Sequence, residues 1–304
     1  MTDPETSIVV ALSTLQAVDQ RLLEKHGLRL EPLNFYSPLN DPRFLENNQD
    51  LWTTPFVPLD IDWRVDHQLE VAREVSKYVL ELADIPDHAG PESDFYWQNN
   101  FWNSADAMVQ YGLFRSRKPS RLIEVGCGFS SLLAARAFRA NSRENPELRT
   151  DVMLIDPYPR REALDKLPRD WQLVESILQR CPLDWFERLG PGDVLFYDGS
   201  HCCHTASDVN WFFFQILPRL REGVLIHLHD IFLPRDYPRE WLLERLQSWN
   251  EQFVLQAFLM NNSAYRIEIA NAFLAHERAP EIKALYQEVQ PYWGGSFWMT
   301  KGDK

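Results

Sequence analysis

Apolar residues recur at helical spacing over residues 5–25, at Ile8, Leu12, Leu15 and Leu22, and Gly27 marks the end of that pattern. Residues 28–63 break the periodicity. There Pro32, Pro38, Pro42, Pro55 and Pro58 alternate with Phe35, Tyr36, Phe44, Trp52, Phe56 and Trp63. So many prolines forbid a long helix, while the aromatic rings need burial, so the stretch reads as an ordered arm wrapped on another surface. Helical spacing returns over 66–84 (Leu69, Ala72, Val75, Val79, Leu82) and stops at Ile85-Pro86.

From residue 94 the pattern alternates. A helix is expected over Asp106 to Phe114, a short buried strand over Arg121 to Val125, a turn at 126–130 and a helix from Ser131 to Ala140. Further strands follow at Val152–Ile155, Trp171–Val174, Val194–Tyr197 and Val224–Leu228, with closing strands at Tyr265–Ala270 and Ser296–Thr300. Strands separated by helical segments predict a doubly wound, Rossmann-like α/β core with a mostly parallel sheet. The chain thus divides into a helical, aromatic and proline-rich N-terminal arm or cap, 1–93, and a core, 94–304. No repeat or low-complexity tract interrupts it.

Composition narrows the function. At 45% hydrophobic and 25% charged the chain is globular, and 44 acidic residues against 31 basic give a net charge of −13 with no basic stripe. Phosphate contacts supply most nucleic-acid affinity, so a nucleic-acid partner is not expected. No apolar run reaches membrane-spanning length, and the N-terminus lacks the basic and apolar regions of a signal peptide. Four cysteines make no disulfide framework, so a cytoplasmic, reduced protein is expected. His201-Cys202-Cys203-His204 lacks a second ligand pair for zinc.

Ligands of open α/β sheets bind at the carboxyl ends of the strands. Here the first strand runs into Glu124-Val125-Gly126-Cys127-Gly128-Phe129-Ser130, and glycines at that turn let backbone N–H groups approach a ligand. Asp156, at the end of the next strand, is placed to accept from both hydroxyls of a ribose. A dinucleotide turn would carry a third glycine, and that position is Ser131. Glu124, two residues before the first glycine, suits a ligand with a cationic amino group, as in S-adenosylmethionine.

On Ile123–Ser130, Leu154-Ile155-Asp156, Asp198-Gly199-Ser200-His201, His229-Asp230 and Gly295-Ser296-Phe297-Trp298, the chain resembles the class I S-adenosylmethionine-dependent methyltransferases. It is most similar to the bacterial small-molecule branch, methyltransferase family 24-like, with those Asp-Gly-Ser-His and His-Asp signatures. The resemblance covers about residues 94–300. It implies seven strands in the order 3-2-1-4-5-7-6 with the last antiparallel, and S-adenosylmethionine as cofactor. Glu124, Gly126 and Gly128 would line the methionine side and Asp156 the ribose. Ser130 stands where the broader family has another glycine, and its hydroxyl suits a helix cap.

Asp198 and Asp230 would flank the sulfonium. A hydroxyl acceptor must lose a proton, which points to a histidine base. His201, in a loop, is favoured over His229; His227 and His204 are read as structural. Related O-methyltransferases hold Mg²⁺ at such strand ends, so Asp198 and Asp230 are also candidate Mg²⁺ ligands. The aromatic and amide-rich segment Phe95–Trp102 is either a surface for a sugar or ring, or a joint packing the arm. Trp211 to Phe214 reads as a core helix. The expected activity is methyl transfer to a small-molecule acceptor, a hydroxyl of a sugar or natural product. A nicotinamide-dependent oxidoreductase and a non-catalytic cofactor-binding partner protein are the alternatives. A homo-oligomer stays open.

Overall fold

The computed structural model describes residues 20–29, 33–55, 60–90, 93–286 and 288–302. The helix expected over 5–25 lies outside them except for α1 (Gln20–Glu24); Pro32, Phe56 and Pro58 also fall outside.

The described residues form two compact units, and the first gives way to the second near Gln49. The larger comprises Asp50–Pro238 and Trp249–Lys304. Two helices lead into its sheet, α3 (Val65–Ser76) and α4 (Ser104–Arg117), after α2 (Pro42–Asn47) of the smaller unit. Then come β1 (Arg121–Val125), α5 (Phe129–Glu144), β2 (Asp151–Ile155), α6 (Arg161–Leu164), β3 (Gln172–Val174), α7 (Asp184–Glu187), β4 (Val194–Tyr197), α8 (Asp208–Trp211) and β5 (Leu225–Leu228). Beyond α9 (Arg239–Leu243), the order is α10 (Glu251–Leu259), β6 (Tyr265–Ala270), α11 (Asn271–Glu277), α12 (Ala279–Tyr286) and β7 (Phe297–Lys301). The seven strands lie in the order β3-β2-β1-β4-β5-β7-β6, and β7 is antiparallel to both neighbours. That is the order the resemblance implied.

The second half of the expected arm belongs to this larger unit because its side chains are built into the core. Trp63 stacks on Phe273 with centroids 4.3 Å apart, and Tyr286 donates to the Ala72 carbonyl at 2.8 Å. Gln68 is fully buried and accepts from Ala270 N–H at 2.9 Å. The helix expected over 66–84 ends at Ser76, and a 3₁₀ turn covers Val79–Leu82. Val75, Val79 and Leu82 are buried all the same, since a spacing of three or four residues serves either helix. The Trp211–Phe214 run is not one core helix. α8 passes into a π turn at Phe212, which buries Phe212 and Phe213 and leaves Phe214 61% exposed.

In the smaller unit, made of the described residues up to Gln49 and Arg239–Ser248, Asp41 caps α2 by accepting from Arg43 N–H at 3.0 Å. Asn40 N–H donates to Ser248 Oγ at 3.0 Å, and the Asn40 side chain to the Gln247 carbonyl. Burial of the arm's aromatics is divided. Trp52 and Trp63 are inside, whereas Phe35 and Tyr36 are almost fully exposed and Phe44 is exposed.

Register places Glu124, Phe196, His227 and Trp298 side by side across β1, β4, β5 and β7, on one face of the sheet. Polar groups therefore run through the centre of the core, at the ends of the strands that form the site.

Candidate active site

The turn after β1 is shaped by its neighbours. Gly126 N–H donates to the Ile155 carbonyl and Asp198 N–H to the Val125 carbonyl, each at 2.9 Å, which fixes the three strand ends together. Gly126 has φ +79°, and a Cβ there would lie 2.1 Å from the Asp198 carbonyl oxygen. Only glycine fits that turn. A Cβ on Gly128 would meet nothing within 4 Å, so the turn faces open space at this point.

Beneath the turn, Glu124 is wholly buried. Its Oε1 accepts from the hydroxyls of Ser130 and Ser131 at 2.5 and 2.9 Å, and its Oε2 has no partner among the described residues. Burial pushes its pKa up to about 8, although both serine bonds oppose the rise. Ser130 thus supports the acid from the helix start. Ser131 accepts from Gly128 N–H at 3.1 Å, the serine in the third-glycine position doing capping work. Asp156 accepts from Cys127 N–H at 2.9 Å and Tyr158 N–H at 2.7 Å, so the strand-two carboxylate is tied to the glycine turn. An orphaned buried carboxylate oxygen, an open glycine and a fixed strand-end carboxylate fit a zwitterionic nucleoside such as S-adenosylmethionine.

On the other side, His201, His229, Asp198 and Asp230 do converge. His201 Nε2 lies 3.3 Å from Asp198 Oδ1 and 3.7 Å from Asp230 Oδ2, and Asp230 Oδ1 lies 3.3 Å from His229 Nε2. Asp230 therefore bridges the two imidazoles. His201 and Asp230 both have left-handed backbones, φ +59° and +56°, which non-glycine residues hold only where surroundings enforce it.

His201 differs from the expected loop base. It is buried, its ring lies 4.3 Å from that of Trp249, and its Nδ1 is 2.9 Å from Glu251 Oε2. Burial favours the neutral ring, but the Asp198 and Glu251 hydrogen bonds and the Asp230 charge outweigh it and hold the pKa well above 6.5. A carboxylate at each nitrogen favours the charged imidazolium form of His201. His229 stacks on Trp102 at 4.3 Å, and its Nδ1 has no partner among the described residues. Its pKa is raised too, Asp230 and Asp198 outweighing burial. Burial raises Asp230. His227 is held neutral by burial, with Nε2 2.9 Å from Ser296 Oγ.

Three residues here carried no signal as site members. Glu251 opens α10 and reaches His201 across fifty positions. Asp208 in the first turn of α8 accepts from Tyr197 Oη, Ser200 N–H and Ser200 Oγ, which shapes the Asp-Gly-Ser-His loop. Asp106 in α4 accepts from Asn271 Nδ2, Gly295 N–H and Ser296 N–H, clamping the approach to β7. For Asp208 the Ser-Asp pair at a helix start is a legible cap signal; Glu251 and Asp106 have none.

Mg²⁺ does not fit Asp198 and Asp230. His201 Nε2 points between the two carboxylates where a divalent cation would sit, and no group of three or more His, Cys, Asp or Glu among the described residues is placed to hold a metal. All four cysteines are free. No helix among the described residues is long and apolar enough to cross a membrane.

The strand order is that of the class I S-adenosylmethionine-dependent methyltransferase fold, and this chain has that fold. Residues 123–231, from β1 to just past Asp230, match the family described as a methyltransferase domain. An uncharacterized protein of Archaeoglobus fulgidus is 28% identical over 174 residues, 54% of this chain and 75% of that protein. Among solved structures, the plantazolicin methyltransferase BpumL, in complex with a pentazolic desmethylPZN analog and SAH, is 12% identical with a TM-score of 0.38, covering 77% of this chain and 97% of its own. A putative protein-L-isoaspartate O-methyltransferase of Plasmodium falciparum, in complex with S-adenosyl-L-homocysteine, is 14% identical with a TM-score of 0.29, covering 62% and 84%.

Proposed function

We propose that the protein transfers a methyl group from S-adenosylmethionine to a hydroxyl of a small acceptor, a sugar or another natural product. The observation that carries this is the buried Glu124, its Oε2 unpaired below a glycine turn that Asp156 secures. Glu124 would take the cofactor's ammonium, Gly126 and Gly128 leave room for its methionyl part, and Asp156 would hold the ribose hydroxyls. Ser130 orients Glu124, and Asp198 borders the transferable methyl. When bound, the cofactor supplies an electrophilic methyl on a sulfonium. What remains for the chain is to align the acceptor and receive its proton.

Asp230 suits the proton, with one oxygen toward each imidazole and burial raising its basicity. His229 shares that proton. His201, engaged on both nitrogens, keeps its own and orients Asp198 and Asp230.

Calorimetric titration with S-adenosylhomocysteine tests this. Wild type is expected to bind at micromolar concentration, and Asp156→Ala to bind about tenfold or more weakly through loss of charged hydrogen bonds. His201→Ala should keep that affinity while turnover, once an acceptor is found by screening, falls about a hundredfold because Asp198 and Asp230 lose the group that positions them. Folded wild type that ignores the ligand at high micromolar concentration would sink the proposal.

A further inference from the structure

Four carboxylates stand around the glycine turn and the neighbouring strand ends, Glu124, Asp156, Asp198 and Asp230, with His201 already committed among Asp198, Asp230 and Glu251. A zwitterionic ligand brings an α-carboxylate into this acidic surround. It needs a cation that is near the glycine turn and not already paired.

Arg160 meets both conditions. It lies four residues beyond Asp156, in the loop that leaves β2, and its guanidinium stacks over the Phe101 ring at 3.6 Å. Among the described residues no carboxylate pairs with it, whereas the nearby Arg161 is bound to Glu175 at 2.7 Å. Phe101 in turn lies flat against Phe129, 5.8 Å between centroids and 16° between planes. Phe129 follows Gly128 directly and is the first residue of α5. The stack thus links Arg160, on the β2 side, through Phe101 to the residue that directly follows the glycine turn.

The platform is rigid. Buried Asn99 accepts from Phe101 N–H at 2.9 Å and Trp102 N–H at 2.6 Å, and donates to the Tyr96 carbonyl at 2.8 Å. One side chain therefore ties up the 96–102 loop, while Phe95, Trp97 and Trp102 anchor it in the core. Phe101 is the ring left half exposed, at 52%, and it is the one under Arg160. A guanidinium seated on an aromatic face keeps its N–H edge free for a planar anion, and its side chain is already ordered before the anion arrives.

We propose that Arg160, seated on the Phe101–Phe129 stack, binds the carboxylate of the cofactor's methionyl group. The site therefore selects ligands with the intact amino-acid moiety. This rests on the cofactor assignment proposed above.

The test compares two ligands by calorimetry: S-adenosylhomocysteine, and 5′-methylthioadenosine, which has the nucleoside and sulfur but no carboxylate. Arg160→Ala should weaken S-adenosylhomocysteine about tenfold or more, as for a lost charge-assisted hydrogen bond, and leave methylthioadenosine within about twofold. Arg160→Lys should recover part of the loss, because the charge returns without the planar fork. Phe101→Ala should reproduce the Arg160→Ala pattern in weaker form. Unchanged S-adenosylhomocysteine affinity in Arg160→Ala would overturn the proposal. So would an equal loss for both ligands, the mark of a general collapse of the cleft. Wild type that binds neither ligand would instead remove the cofactor assignment, and this proposal with it.

Discussion

Two of the buried carboxylates, Glu124 and Glu251, each give a measurable consequence. Glu124, with a pKa near 8, carries its proton at pH 7. An ammonium bound beside its unpaired Oε2 favours the carboxylate, so cofactor binding should expel that proton. Titration of S-adenosylhomocysteine at pH 7 in buffers of different ionisation enthalpy should report release of about one proton, lost in Glu124→Gln. Heats that do not depend on the buffer would take Glu124 away from the amino group. Glu251 is buried, raised by that burial, and set on His201 Nδ1. Its replacement by Gln removes one of the charges that keep His201 protonated, so the titration midpoint of that imidazole should fall in ¹⁵N-resolved NMR. An unmoved midpoint would assign the charge to Asp198 and Asp230 alone. Sequence adjacency revealed the pairs Asp198 with His201 and His229 with Asp230. It could not show Glu251 beside His201, because that carboxylate stands fifty residues away.

At the scale of elements, two glycines hold the core in register. Gly126→Ala would place a methyl 2.1 Å from the Asp198 carbonyl oxygen in a backbone with φ +79°. The strand ends would have to separate, a destabilisation of about 1–3 kcal/mol or more by thermal or denaturant unfolding, with S-adenosylhomocysteine affinity falling alongside. Gly112, in the middle of α4, lets α3 approach so closely that a Cβ would come within 2.5 Å of Val75 Cβ and 2.7 Å of its carbonyl oxygen. Gly112→Ala should cost about 1–3 kcal/mol by overpacking. The side-chain hydrogen bonds of α3 run to Trp63, Glu268, Ala270, Arg117 and Tyr286 and to none of the site carboxylates, so cofactor affinity should hold in whatever remains folded, and a parallel loss of affinity would refute that separation. Apolar runs bounded by turns located all seven strands, since each is short and all but β3 are mostly buried. Helix type was less legible: the 3₁₀ turn at Val79–Leu82 and the π turn at Phe212 satisfy the same apolar spacing as an α-helix.

Across the whole molecule, the buried ionisable groups set how stability varies with pH. Glu124 and Glu251 have folded pKa values above the usual 4.5, so folding takes up protons at them and their burial costs more as pH rises above 4.5, up to about 8 for Glu124. His201 acts in the same direction: its contribution is complete below 6.5 and disappears as pH climbs through its raised folded value. Asp198 and Glu268 are lowered and act oppositely, their contribution being lost as pH falls through their folded values. Thermal stability should therefore peak at mildly acidic pH and decline toward pH 9, with a shallower decline in Glu124→Gln. A Tm that rises between pH 6 and 9 would contradict this.

What the sequence determined by itself was local. A run of apolar residues, a glycine turn and a strand-end acid are each read over a few positions, and the βαβ order follows because short crossovers restrict how such segments pack. The site carboxylates were visible for the same reason, as each lies within two residues of the last position of a strand. Only the tertiary structure decided the boundary near Gln49, the seating of Arg160 on Phe101, and the pairing of Glu251 with His201. Those depend on desolvation and on Coulomb terms between residues far apart in the chain, which act only once the fold has excluded water and brought the charges within a few ångströms.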